Sequence, residues 1–276
     1  MPFGLKNAGA TYQRLMNRMF APQIGRNVQV YVDDMLVKRQ REEDHLKDLK
    51  ETFDTLRSYN MKLNPGKCAF GVMTGKFLGF MVSQRGIEAN PDKIQAIMEM
   101  KPPKNVKEVQ SLNGKVAALN RFVSRAIDKC FPFFRTLKKS FEWTDECQQA
   151  FEELKAYLSA PPLLSPSQPG EELFLYLAVS PAAVSATLIR EEEKVQKPVY
   201  YASRVLRRAE GRYLTMEKLA FALVTTARKL KPYFQAHTVV VLTDRPLQRP
   251  MSNPDVAGRL ALWAIELSEF DIQYCP

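Results

Sequence analysis

Apolar positions along the chain alternate between two periods. From Tyr12 the spacing is helical: Tyr12, Leu15, Met16, Met19 and Phe20 fall at i, i+3, i+4, i+7 and i+8, one face of a helix. The next stretch, Val28-Gln29-Val30-Tyr31-Val32-Asp33-Asp34-Met35-Leu36-Val37, switches to strand periodicity and predicts a β-hairpin with Asp33 and Asp34 at its tip. Arg41 to Asn60 returns to helical spacing, with Leu46, Leu49, Phe53 and Leu56 inward and Glu42, Glu43 and Asp44 in the first turn, where the helix dipole favours acids. Met61 to Lys67 predicts a strand and turn. Lys67 to Phe70 and Phe77 to Val82 predict two short strands around a turn at Gly75.

Asn90-Pro91-Asp92 opens a helix with proline at its first position, and Pro102-Pro103 closes it. Asn105 to Glu108 has the form of a capping box, and the helix behind it turns Val109, Leu112, Val116, Leu119, Phe122 and Val123 inward. Trp143-Thr144-Asp145-Glu146 starts another helix, carrying Phe151, Leu154 and Leu158. Pro161, Pro162, Pro166 and Pro169, with serines between them, predict a linker. Three strands (173–177, 184–189 and 198–201), a helix over 216–230, a strand over 238–242, a helix over 256–267 and a strand over 270–274 complete the chain. These elements define a mixed α/β (α+β) chain with expected boundaries 1–86, 87–160 and 161–276.

Composition narrows the class. The chain has 276 residues, 45% apolar and 25% charged, enough for more than one packed core. The formal net charge of +10 favours a polyanionic partner, nucleic acid before an acidic membrane. The basic residues are spread through folded helices, which weighs against a membrane surface. No apolar run approaches the ~18 residues of a membrane span, and no secretory signal is evident. Cys68, Cys130, Cys147 and Cys275 are too dispersed for a zinc site, so a reduced compartment is expected.

Asp33 and Asp34 are the candidate chemistry. Two adjacent carboxylates repel, and neither is a preferred hairpin-turn glycine. A divalent cation explains the pair, since Mg²⁺ takes one or two carboxylates and completes its shell with phosphate oxygens and water. A solvated acidic turn is the alternative.

Tyr31-Val32-Asp33-Asp34, preceded by MPFGLKNAGATYQRLMN, resembles the palm of reverse transcriptases of the gypsy-type LTR retrotransposons. KLNPGKCAF, GKFLGFMVSQRGIEANPDKIQAI and FEWTDECQQAFEELK resemble the rest of that palm, the thumb and the connection to ribonuclease H. The runs LYLAVS, VYYASR, MEKLAFALVTTARKLKPYFQAH and VLTDRPL resemble the plant Tat-type lineage, whose first ribonuclease H domain is degenerate.

The resemblance implies a partial palm, a small helical thumb and connection, and a ribonuclease H-like mixed-sheet domain. It implies that Asp33 and Asp34 are two of three catalytic carboxylates holding Mg²⁺ (or Mn²⁺) for two-metal nucleotidyl transfer in a longer parent. Tyr31 would lie beneath the primer end, and Phe3 and Gly4 against the incoming nucleotide and template. Lys67 would approach the triphosphate, a solvated lysine being equally expected. Phe77, Leu78, Gly79 and Phe80 would grip the primer. Lys107, Asn113, Gly114, Lys115 and Asn120 would follow the duplex backbone. The third aspartate of the family precedes the first segment, so no polymerisation is expected of this chain alone. In the ribonuclease H-like part, Ala178 stands where the first ligand belongs, Glu217 and Asp244 match the second and third, and the fourth would lie beyond Pro276. No hybrid cleavage is expected. The implied partners are an RNA/DNA template-primer duplex and deoxynucleoside triphosphates. The implied location is the cytoplasm, in the virus-like particle of the parent element, or the nucleus, without secretion. The alternative function is a non-catalytic nucleic-acid-binding relic or a domesticated interaction protein.

Overall fold

The computed structural model describes residues 4–39, 42–136, 141–245, 247–248 and 258–275. The chain divides between Gln84 and Arg85 into two compact units.

In the first unit, helix α1 (Ala8–Met19) leads into strands β1 (Val28–Tyr31) and β2 (Asp34–Val37), which pair antiparallel. Met16, Met19, Phe20, Val28 and Leu56 form the core, with Tyr12, Val30, Met35, Val37, Phe53 and Met61 packed around it. Leu15, expected on the inward face, is 40% exposed. Helix α2 runs His45–Ser58 behind a short 3-10 turn, Glu42–Asp44.

The buried side of α2 differs from the apolar pattern. Leu46 is exposed, whereas Asp48, Thr52 and Leu56 are buried. The Asp48 carboxylate accepts a hydrogen bond from Asn27 Nδ2 at 2.8 Å and faces Arg39 Nη1 at 3.4 Å. A charge goes inside here because buried Asn27 donates to it and Arg39 reaches it from the surface.

The expected strands around Gly75 are displaced. Among the described residues no strand covers 61–64 or 67–70; a 3-10 turn, Pro65–Lys67, is capped by Asn64 Oδ1 accepting from Gly66 N–H at 3.0 Å. The hairpin lies further on, between β3 (Thr74–Phe77) and β4 (Phe80–Ser83), and turns at Leu78-Gly79. Both turn residues have positive φ, +52° and +75°, as a two-residue type I′ connection requires.

The second unit begins with strand β5 (Gly86–Glu88) and four helices: α3 (Pro91–Met98), α4 (Val106–Leu119), α5 (Ala126–Thr136) and α6 (Asp145–Leu158). The predicted caps form: Asn90, Asn105 and Thr144 side chains accept from backbone N–H groups two or three residues on. Helix α5 has no counterpart in the sequence reading, because Pro132 sits inside it.

The proline-rich stretch is no free linker. Ile87 and Leu164 exchange backbone hydrogen bonds of 2.9 and 3.0 Å, and Ser165 N–H donates to Pro198 O at 2.8 Å. A five-stranded mixed sheet follows, formed by β6 (Leu173–Val179), β7 (Ala183–Glu192), β8 (Val195–Val205), β9 (Val239–Leu242) and β10 (Ile272–Cys275). Its spatial order is β10-β9-β6-β7-β8; β6, β7 and β8 are antiparallel, and β9 is parallel to both β6 and β10. The first three strands run longer than their apolar centres predict. Helix α7 (Thr215–Lys229) packs on this sheet, short α8 (Lys231–Ala236) follows it, and α9 (Arg259–Leu267) lies against α7. Leu175, Leu188, Leu219, Leu223, Val239 and Trp263 are among the buried residues at this interface. Among the described residues, no helix is long and apolar enough to cross a membrane.

Candidate functional site

The carboxylate hairpin is built one residue away from the expected position. Tyr31 pairs with Asp34, so the two turn residues are Val32 and Asp33, and Asp34 is the first residue of β2. Val32 takes φ +47°. A positive φ at the first turn position alone is the type II′ pattern, which normally takes glycine there. A β-branched side chain in that region is strained, by about 1–3 kcal/mol. The strain places Asp33 at the apex and Asp34 directly behind it, both exposed.

The two carboxylates differ in their surroundings. Asp34 Oδ2 accepts from Leu78 N–H at 3.2 Å, tying the strand to the apex of the β3–β4 hairpin. No ion pair or hydrogen bond of the Asp33 carboxylate is found among the described residues. Asp33 faces the Tyr12 phenol, whose pKa is raised by burial first and by this negative charge second. Tyr31 is 58% exposed beside the pair. Two adjacent oxygen-donor groups with solvent access suit a hard divalent cation. They do not complete a metal cage: no group of three or more His, Cys, Asp or Glu residues able to hold a metal occurs among the described residues.

The other predicted positions divide. Phe77, Leu78 and Gly79 join the carboxylates through the Asp34 bond. Gly4 has φ +92°, and a Cβ there would meet nothing within 4 Å, so it is the conformation that calls for glycine. Lys67 is exposed on its 3-10 turn. No hydrogen bond or ion pair links Gly4 or Lys67 to the turn among the described residues. Phe3 lies outside the described residues.

In the second unit, Lys107 and Gly114 are exposed, while Lys115 donates from Nζ to Ala96 O at 2.8 Å. Asn113 buries both side-chain polar atoms, and Asn120 its Oδ1, without a hydrogen-bond partner. Ala178, near the end of β6, pairs with Ser185 and supplies no ligand. Glu217 uses one oxygen to accept from Leu214 N–H at 2.9 Å, as the reach-back half of a helix cap, and the other faces Arg259 Nε at 3.6 Å. Asp244 is 89% exposed, 3.9 Å from Arg245 Nε. This set does not fit a two-metal centre: one position is an alanine, one carboxylate is engaged at both oxygens, and the third stands in solvent.

One residue at the carboxylate hairpin carries no signal in the apolar pattern. Gln13, on α1, accepts at Oε1 from Val32 N–H at 2.5 Å, and its Nε2 donates to Val30 O at 3.3 Å and to Asn17 Oδ1 at 2.8 Å.

Comparison with known proteins matches a segment of each unit separately. Residues 1–82 match the family described as reverse transcriptase (RNA-dependent DNA polymerase), and residues 143–241 the RNase H-like domain found in reverse transcriptase. The fold matches part of foamy viral protease-reverse transcriptase. The structure of that protein with dsDNA matches at TM-score 0.82 and 22% identity, over 100% of this chain and 59% of that one; with an RNA/DNA hybrid the TM-score is 0.84 at 22% identity, over 99% and 38%. The chain therefore carries a reverse transcriptase segment and a ribonuclease H-like domain. More particularly, these are domains of a retrotransposon polyprotein. The retrovirus-related Pol polyprotein from transposon 412 of Drosophila melanogaster is 32% identical over 98% of the chain and 22% of its own length. That of transposon opus, from the same organism, is 29% identical over 99% and 29%. The transposon Tf2-3 polyprotein of Schizosaccharomyces pombe is 29% identical over 100% and 22%. The chain thus spans between about a fifth and a third of the relatives it matches.

Proposed function

We propose that this chain supplies the carboxylate hairpin, the primer-gripping hairpin and the duplex-holding domains of an RNA-directed DNA polymerase acting within a longer polyprotein. The observation that carries the reading is the strained Val32-Asp33 turn, whose neighbouring Asp34 is bonded to the amide of Leu78. Strain kept beside two exposed carboxylates serves no packing purpose, and it fixes the two groups where a cation can meet both.

Asp33 and Asp34 would hold Mg²⁺ or Mn²⁺. Bound there, the metal supplies charge neutralisation for attack of a primer hydroxyl on a deoxynucleoside triphosphate. The chain's own residues do the positioning. Tyr31 supports the primer end, Phe77, Leu78 and Gly79 hold it against the carboxylates, and Phe3, Gly4 and Lys67 meet the nucleotide. The net charge of +10 supports binding to a template-primer duplex. The foamy viral proteins that share the fold were captured with dsDNA and with an RNA/DNA hybrid, which supports the same class of partner. Ala178 and the engaged Glu217 support a ribonuclease H-like domain that binds and spaces rather than cuts. The alanine at that position also supports placement in the plant Tat-type lineage. The setting would be the virus-like particle of the parent element in the cytoplasm, or the nucleus.

The test has two parts. In a polyprotein segment extending this chain upstream, Asp33→Asn and Asp34→Asn should each lower primer extension by about a thousandfold or more while template-primer affinity stays within a few-fold. Extension at the unsubstituted rate in either variant overturns the assignment. For the second unit, the unmodified chain should leave an RNA/DNA hybrid intact, and Ala178→Asp alone should not create cleavage, because Glu217 remains tied to Leu214 and Arg259. Hybrid cleavage by the unmodified chain would refute the binding-only role.

A further inference from the structure

We infer that Gln13 is a positioning residue for the carboxylate turn: its side-chain amide holds Val32 in the left-handed conformation that sets the directions of Asp33 and Asp34. The inference rests on the reading of that pair as metal ligands and adds the group that orients them.

Three observations meet at one side chain. Val32 has φ +47°, which a β-branched residue does not adopt unaided. Its N–H belongs to a turn residue, lies outside the β1–β2 ladder, and donates to Gln13 Oε1 at 2.5 Å. Val30, two residues earlier on β1, offers its carbonyl to Gln13 Nε2 at 3.3 Å. One planar amide thus grips the backbone on both sides of Tyr31, accepting from the turn and donating to the strand. A carboxylate matches only the accepting half, and an apolar side chain matches neither.

The amide is itself held. Asn17, one helical turn on, accepts from Gln13 Nε2 at 2.8 Å. Helix α1 is anchored in the core through Met16 and Met19. The rigid element is therefore the helix, the strained one is the turn, and Gln13 connects them. Asp33 has no partner of its own among the described residues, so its direction depends on the backbone of Val32. Asp34 has a second tether at Leu78 and depends on it less.

The experiment uses the full chain, labelled with ¹⁵N, with amide exchange and Mn²⁺ titration as readouts. Unmodified chain should show a slowly exchanging Val32 amide and Mn²⁺ broadening at Asp33 and Asp34. Gln13→Leu should speed Val32 exchange by about five- to tenfold. It should also weaken Mn²⁺ broadening at Asp33 more than at Asp34. Gln13→Glu keeps the acceptor and should restore Val32 protection. Asn17→Ala keeps both backbone contacts and should change Val32 exchange little, which guards against a general loosening of α1.

A Gln13→Leu chain with unchanged Val32 exchange overturns the inference. So does one in which exchange rises equally throughout α1 and β1. If Mn²⁺ does not broaden the turn even in the unmodified chain, the metal reading fails. Val32 exchange then decides alone: a rise confined to the turn upholds the clamp, and no rise overturns it.

Discussion

At the scale of single residues, two positions in this chain are decided by backbone geometry that no side-chain pattern displays. Val32 is one. Reading Asp33 and Asp34 as the hairpin tip puts both acids in the turn, but the ladder pairs Tyr31 with Asp34 and moves the turn back by one residue. The apolar alternation is compatible with either phase; the observed one brings Val32 N–H to Gln13 Oε1 and Asp34 Oδ2 to Leu78 N–H. Gly86 is the other. It has φ +141°, and a Cβ there would stand 2.1 Å from Leu164 O. Glycine is required twice over, for conformation and for space. Gly86→Ala should therefore destabilise the second unit by about 3 kcal/mol or more, since neither the strained backbone nor a backbone oxygen can yield cheaply. Urea unfolding followed by the fluorescence of Trp143 and Trp263 checks this. An unchanged midpoint would mean that the Ile87–Leu164 bridge contributes nothing to that unit.

At the scale of elements, the sequence discloses what depends on local chemistry and hides what depends on distant partners. Helices α3, α4 and α6 start where Asn90, Asn105 and Thr144 say they should, because an N-cap acts within one turn. At α4 Asn105 Oδ1 accepts from Glu108 N–H at 3.0 Å, and Glu108 Oε2 reaches one residue past the cap to accept from Lys104 N–H at 2.7 Å. Asn105→Ala should cost about 1 kcal/mol, and Asn105→Asp should recover most of it, read as shifts in the thermal midpoint of the second unit. Equal loss in both variants would assign the effect to packing.

The β3–β4 hairpin lies away from its expected place for a different reason. The Lys67–Phe70 run looks like a strand, but the Leu78-Gly79 pair supplies the turn that a hairpin needs, and pairing follows the turn. Helix α5 was hidden by Pro132, whose missing N–H is tolerated inside a helix buried through Ala126, Cys130 and Phe133. The buried Asp48 turns the first part of α2 away from its expected face, exposing Leu46 while Phe53 and Leu56 stay inward, because Asn27 and Arg39 reach it from outside the helix. The candidate carboxylates were legible because adjacent aspartates conflict with local stability. Gln13 was not, since a glutamine on a helix reads as solvated surface until its partners are known.

For the whole molecule, most of the described groups whose pKa burial raises lie in the second unit, Tyr12 of the first being the exception. Burial pushes the Cys130 thiol from 9.0 up to about 12 and the Tyr274 phenol from 10.0 up to about 12. Both lie in the second unit, as do Tyr200 and Tyr201, whose pKa values burial also raises. In each case the folded chain keeps a proton that the unfolded chain gives up. The stabilisation is complete below the unfolded pKa and is lost as pH climbs toward the folded one. Cys130 therefore erodes stability from about pH 9, at up to about 1.4 kcal/mol per pH unit, and Tyr274 joins from about pH 10. Lys129 and Lys229, lowered chiefly by burial, act in the opposite sense, so a single unfolding curve mixes the two. Comparison with Cys130→Ala reports the thiol together with its charge coupling to Lys129, and leaves Lys229 as it is. The variant should start less stable at pH 8, from the vacated volume, and then lose less than the unmodified chain between pH 9 and 11. Urea midpoints at half-unit intervals would show the two curves converging. Parallel curves would mean that the thiol ionises as readily in the folded chain as in the unfolded one, and that the site around Cys130 admits water.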